Sequence, residues 1–165
     1  MSHSPRMILL LIFGVLSAVL IAPRLACAQA PERDSTWAVL DVVATVNTAI
    51  DESADSAELR QRAVRRFAEC SLMYGGLSTL TTNAETKKNY VGAQLATSEV
   101  ETIIAKPLQQ EKRLELENAA RVSVALILRG IKAQGDKEAG PLLKSCKALN
   151  YVPEIKKALQ ELPPL

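Results

Sequence analysis

Histidine is almost absent from this chain of 165 residues: there is one, His3. It lies in a segment expected to be removed on export, so the working protein is expected to have none. Without imidazole there is no Ser-His-Asp or Cys-His catalytic unit. Nor can zinc or haem be held through histidine. Aromatic residues make up only 4% of the chain, too few for the stacking platforms of single-stranded nucleic-acid binders. There is no C-x-x-C-H haem attachment, no G-x-x-x-x-G-K-[ST] and no G-x-G-x-x-G, so nucleotide chemistry has no motif to stand on. Of three methionines, only Met73 lies beyond the expected signal, which excludes a Met-rich copper carrier. These absences predict a protein with no catalytic motif, no cofactor and no metal site.

What is present begins with an export signal. Residues 1–28 have its layout: basic Arg6, an apolar run from Met7 to Ala22 broken by Gly14 and Ser17, then Ala26-Cys27-Ala28 as a small-residue cleavage site. Gln29 is the expected new N-terminus, and the periplasm or the exterior the expected location. Cleavage after Ala30 is disfavoured by Pro31. A lipidated Cys27 is an alternative, but Arg24 stands where such a motif needs an aliphatic residue. A retained anchor is another, in a run shorter than the roughly 18–20 residues of a span. With the signal gone, no membrane association is expected.

Export changes the charge balance. Arg6 and Arg24 leave with the signal, which takes the twenty basic residues to eighteen, equal to the eighteen acidic ones. A neutral mature chain gives no electrostatic footprint for nucleic acid. Two cysteines remain, Cys70 and Cys146. In an oxidising compartment the simplest reading is a disulfide between them. Residues 29–35 read as a flexible polar lead, and 36–165 as a single helical domain.

The helical signal is clearest between Asp55 and Leu80. Leu59, Ala63, Phe67, Cys70, Tyr74 and Leu77 fall on one stripe at 100° per residue, with Met73 at its edge. Asp55 and Glu58 suggest a capping box. Glu58, Arg62, Arg65 and Glu69 read as a solvated opposite face with two i,i+4 ion pairs. Gly75-Gly76 predicts a kink, a close helix crossing or the helix end. Residues 36–52 suit a helix with Trp37, Leu40, Ala44, Asn47 and Ile50 inward, although their Val and Thr content would also suit a strand. Thr82 and Glu85 suggest a second capping box, opening a helix through Lys106 with Tyr90, Ala93, Thr97, Val100 and Ile104 inward. Pro107 separates it from a helix over 108–133. That helix is apolar nearly all round in its second half, which predicts burial on every side. Gly135 and Asp136 read as caps, residues 137–149 as a short helix split at Gly140-Pro141, and Pro153 as the start of a last short one. The expected fold is all-α: an antiparallel helical bundle of four main helices plus short C-terminal helices, with one disulfide.

Few residues invite a functional reading. Arg66 lies at the edge of the apolar stripe, one turn before Cys70, where a guanidinium can meet a carboxylate or phosphate bidentately. With Tyr74 and Tyr90 it forms a candidate ligand or partner groove between helices. The carboxylates Glu111, Glu115 and Glu117, and Asp51, Glu52, Asp55 and Glu58, read as helix-end and surface charge. Together these features predict an exported, non-catalytic protein that binds an envelope protein, an unfolded client or a small apolar ligand. The alternative is a carboxylate-dependent enzyme acting on cell-wall glycan.

Overall fold

Among the described residues, six helices form in the order the hydrophobic pattern sets out. The computed structural model describes residues 35–134 and 139–165. The expectations for the signal peptide, residues 29–34, the Trp37 side chain, and Gly135 and Asp136 as caps lie outside the described residues. The helices are α1 (Ser35–Asp51), α2 (Ser56–Leu80), α3 (Ala84–Ile104), α4 (Gln110–Gln134), α5 (Gly140–Leu149) and α6 (Ile155–Gln160). Val152–Glu154 forms a 3-10 turn before α6. No helix among the described residues is long and apolar enough to cross a membrane.

The helix α2 is the centre of the molecule. Its predicted stripe is buried throughout, from Leu59 to Leu77. Val64, Ala68, Glu69 and Ser71 are buried as well, because α3, α4 and α5 each lie against it on a different side. The solvated face expected for Glu69 is therefore wrong: this carboxylate side chain is 5% exposed. Tyr74 stacks on Tyr90, and the Ser71 hydroxyl donates to the Gln94 carbonyl at 3.4 Å, so α2 and α3 run antiparallel. Cys70 and Cys146, both fully buried, form the expected disulfide and fasten α5 to the middle of α2.

Two helix starts differ from expectation. Asp55 stands at the N-cap of α2 without a side-chain cap bond. Its amide donates instead to the Ser53 hydroxyl at 3.3 Å, and Glu58 turns to Arg62 at 3.6 Å. The cap of α3 is Asn83, not Thr82: the Thr86 amide donates to Asn83 Oδ1 at 2.9 Å. With the cap one residue later, the orphan amide that is served is that of Thr86, not the Glu85 amide of a Thr82–Glu85 box. At the other end α3 stops at Ile104 rather than Lys106, as expected of residues just ahead of a proline. Pro141 opens α5 in its first turn rather than splitting it.

The inward face of α1 is rotated from the expected one. Val39, Val42, Val43, Val46 and Ile50 are buried, whereas Leu40 is 51% exposed. Five β-branched residues at i, i+3, i+4, i+7 and i+11 make a continuous stripe, and the isolated Leu40 cannot compete with it. Arg60 ties the ends of three helices together. It donates to Asn47 Oδ1 at 3.0 Å and to the Ile104 carbonyl at 3.2 Å, and lies 3.5 Å from Asp51.

The largest departure is α4. It lies along α2 and shares little backbone contact with α3, its neighbour in sequence. Leu116, Ala120 and Val124 are buried, but Val122 and Leu126 are more than 60% exposed. The second half of α4 is thus covered on one side only, not buried all round. Gly76 permits the approach: a Cβ there would run into the Leu128 side chain. Gly92, in contrast, faces open space within α3. Gly92→Ala is expected to raise stability by about 0.5–1 kcal/mol, the helix-propensity gain alone. Gly76→Ala should show no such gain, since the Leu128 side chain must give way. Urea unfolding of both variants checks the contrast, and equal effects would refute it.

Candidate functional site

Because α4 and α5 share little backbone contact, a gap runs between them over the surface of α2. It forms an open groove of about 1620 Å³. The floor is α2, with Arg65, Arg66 and Glu69. Ser123 and Ile127 of α4 make one wall. The other is built by α5, the 3-10 turn and α6, including Leu143, Tyr151 and Leu162. A smaller cavity of about 40 Å³ adjoins it where Leu162 to Leu165 pass over the arginines.

The floor has a defined charge pattern. Glu69 accepts from Arg65 Nε at 3.2 Å through Oε1, and its Oε2 lies 3.1 Å from Arg66 Nη1. Two guanidiniums share one carboxylate, which leaves a net positive charge facing the groove. Arg62 Nη1 donates to the Leu162 carbonyl at 3.1 Å and holds the C-terminal segment in place. Of the four clustered arginines, Arg60 and Arg62 brace the fold, whereas Arg65 and Arg66 line the groove.

The candidate residues do not converge on one pocket. Arg66 faces the groove, but neither Tyr74 nor Tyr90 lines it. The two rings stack between α2 and α3, their centroids 6.2 Å apart. Burial raises the Tyr74 phenol above its ordinary pKa, against the lowering effect of a hydrogen bond with the Asn150 side chain. The α5 wall of the groove was not anticipated. Its signal in the sequence is the amphipathic pattern from Leu142 to Leu149, with Lys144 and Lys147 outward.

Carboxylate chemistry has two places to look. Glu69 is buried in a cleft, with both its oxygens engaged by guanidiniums. The cluster at Asp51–Glu58 is largely paired, Asp51 with Arg60, Glu52 with Lys156 and Glu58 with Arg62, and in Glu111–Glu117 the Glu115 carboxylate pairs with Lys112. Among the described residues, no group of three metal-ligating side chains comes together. Glu101 of α3 differs from these. Burial, and secondly the Glu117 carboxylate, push its carboxyl up to about 7, and the nearby Arg113 and Arg121 do not reverse this.

That shift has a consequence for stability. The unfolded group ionises near 4.5. Between 4.5 and about 7 the folded protein keeps a proton that the unfolded chain has lost. The contribution is complete below about 4.5 and is lost as pH rises through about 7. Because the side chain is only half-buried, about 1 kcal/mol is expected. Glu101→Gln should flatten this part of the pH–stability curve in urea melts. An unchanged slope would show that Glu101 ionises normally.

The site therefore defines a class: a disulfide-braced helical protein with an open, amphipathic, positively floored groove. Comparison with known proteins finds no matching family model, no matching curated protein and no matching solved structure.

Proposed function

We propose that the chain is an exported, non-catalytic binding protein, periplasmic or secreted after cleavage between Ala28 and Gln29. It works by taking a partner into the groove over α2. The observation that carries this reading is the groove lining: apolar walls from Ile127, Leu143 and Leu162 around a floor where two arginines share one carboxylate. Apolar walls supply affinity and a few fixed polar groups supply orientation. Native mass spectrometry of the untagged protein from its own compartment tests this. The expected species begins at Gln29, is two hydrogens lighter than the reduced chain, and carries non-covalent mass that Ser123→Trp, which fills the groove, removes. Added mass that survives this substitution, or no added mass in any preparation, would count against the groove.

A second reading has one observation in its favour. A carboxyl that keeps its proton near neutral pH, as Glu101 does, is what a general acid acting on cell-wall glycan requires. Glu101 does not line the groove. Release of sugars from purified peptidoglycan, abolished by Glu101→Gln, would establish this enzyme and overturn the binding reading.

A further inference from the structure

We infer that the groove receives an acidic amphipathic helix of a partner protein. This rests on the groove being the binding surface, and it adds the class of the occupant. Size gives the first argument. Small-molecule sites enclose roughly 300–1,000 Å³, and this open groove holds about 1620 Å³. A cylinder about 10 Å wide, the girth of a helix, fills that volume over about 14 residues. The groove also runs between helices, with a helix as its floor, which is the setting of helix-in-groove recognition.

Charge gives the second. Arg65, Arg66, Lys144, Lys147 and Lys157 line the groove, against Glu69, Glu154 and Glu161. This surface is positive, whereas the mature chain is neutral overall. The cations sit in two places. Arg65 and Arg66 are on the floor; Lys144 and Lys147 are exposed on the α5 wall. The walls around them also present Ile127, Leu143 and Leu162. A helix with a Leu- or Ala-rich face flanked by Glu or Asp matches both features at once. Its apolar face meets the walls, and its carboxylates meet the guanidiniums and the lysines. A basic helix meets like charge at both places.

The test uses the full mature protein and two synthetic fluorescent peptides of about 16 residues. Both carry the same leucine face; one has Glu on its flanks, the other Lys. Fluorescence anisotropy should show the Glu peptide binding about tenfold or more tighter than the Lys peptide, with affinity falling as salt rises. Lys144→Glu with Lys147→Glu, at exposed positions that leave the fold intact, should weaken the Glu peptide by about tenfold. Arg66→Gln should weaken it as well. A photo-crosslinker at position 144 should capture the Glu peptide, and one at position 40, on the exposed side of α1, should not. Equal binding of the two peptides, or no effect of charge reversal, would overturn the inference. Oleate bound at the groove with neither peptide bound would also overturn it but leave the groove as a binding surface. Crosslinking from position 144 to a second copy of the chain would do the same. Failure of every probe to label or occupy the groove would overturn the inference and the reading beneath it together.

Discussion

Replacing both cysteines, Cys70→Ala with Cys146→Ala, is expected to cost the protein about 4–5 kcal/mol. The two residues are 76 apart in sequence. Closing a loop of this length removes that much conformational entropy from the unfolded chain in the simplest treatment. A domain of this size is stable by about 5–15 kcal/mol in total, so the double variant should stand close to unfolding at physiological temperature. The midpoint of thermal unfolding should fall by about 10–20 °C. The loss should also be local. Leu142 and Leu149 of α5 are buried in the core, and the disulfide cross-links this helix to α2 at Cys70. Hydrogen exchange should therefore speed up first in α5 and α6, the far wall of the groove, before α2 and α3 respond. A loss of under about 1 kcal/mol would mean that the packing of α5 alone fixes this wall and that the bridge is incidental.

The parts that could be read from sequence and the parts that could not are separated by distance along the chain. The α2 stripe from Leu59 to Leu77 was legible because one face at period 3.6 must be buried whatever covers it. The disulfide was legible because, with Cys27 assigned to the expected signal, the other two cysteines, Cys70 and Cys146, have one way to pair. The ends of α2 were legible too, although the capping details were not. A side-chain oxygen chooses among several amides within a turn, and Asn83 won over Thr82 by backbone geometry that composition does not encode. The burial of Glu69 could not be seen. Arg65 and Glu69 at i,i+4 look the same on a wet surface and under a layer of neighbouring helices. Only the placement of the helices packed on α2 and of the C-terminal segment Leu162 to Leu165 tells them apart. The exposure of Val122 and Leu126 was hidden for the same reason. Their apolar character is real, but among the described residues α4 packs closely along α2 alone and leaves this side uncovered. The groove itself arises where α4 and α5 fail to meet. A gap between elements is a property of their arrangement and leaves no pattern in either.

Glu69 is where stability and binding are expected to pull apart. Its carboxylate is buried and accepts from two guanidiniums that are themselves largely covered, Arg65 at 32% and Arg66 at 17% exposure. Removing one member of a buried ion group costs about 3–5 kcal/mol, because the remaining charges lose their counter-charge without regaining water. Here both guanidiniums can turn partly into the open groove, so Glu69→Ala is expected to cost about 2–3 kcal/mol. Glu69→Gln keeps the volume and one acceptor oxygen and should cost about half as much. Urea unfolding with an unchanged m-value is the measurement, and a loss below about 0.5 kcal/mol would show that the triad is no more than a surface pair. The same substitution removes the one carboxylate that offsets the floor arginines. Glu69→Gln should therefore bind the Glu-flanked peptide more tightly than the wild type while unfolding more easily. A protein that used Glu69 only to hold its fold would lose stability and affinity together. One that keeps a counter-ion beneath its binding arginines trades the first against the second. Opposite signs in the two measurements, from one residue, would place Arg65 and Arg66 in the binding surface rather than in the scaffold alone.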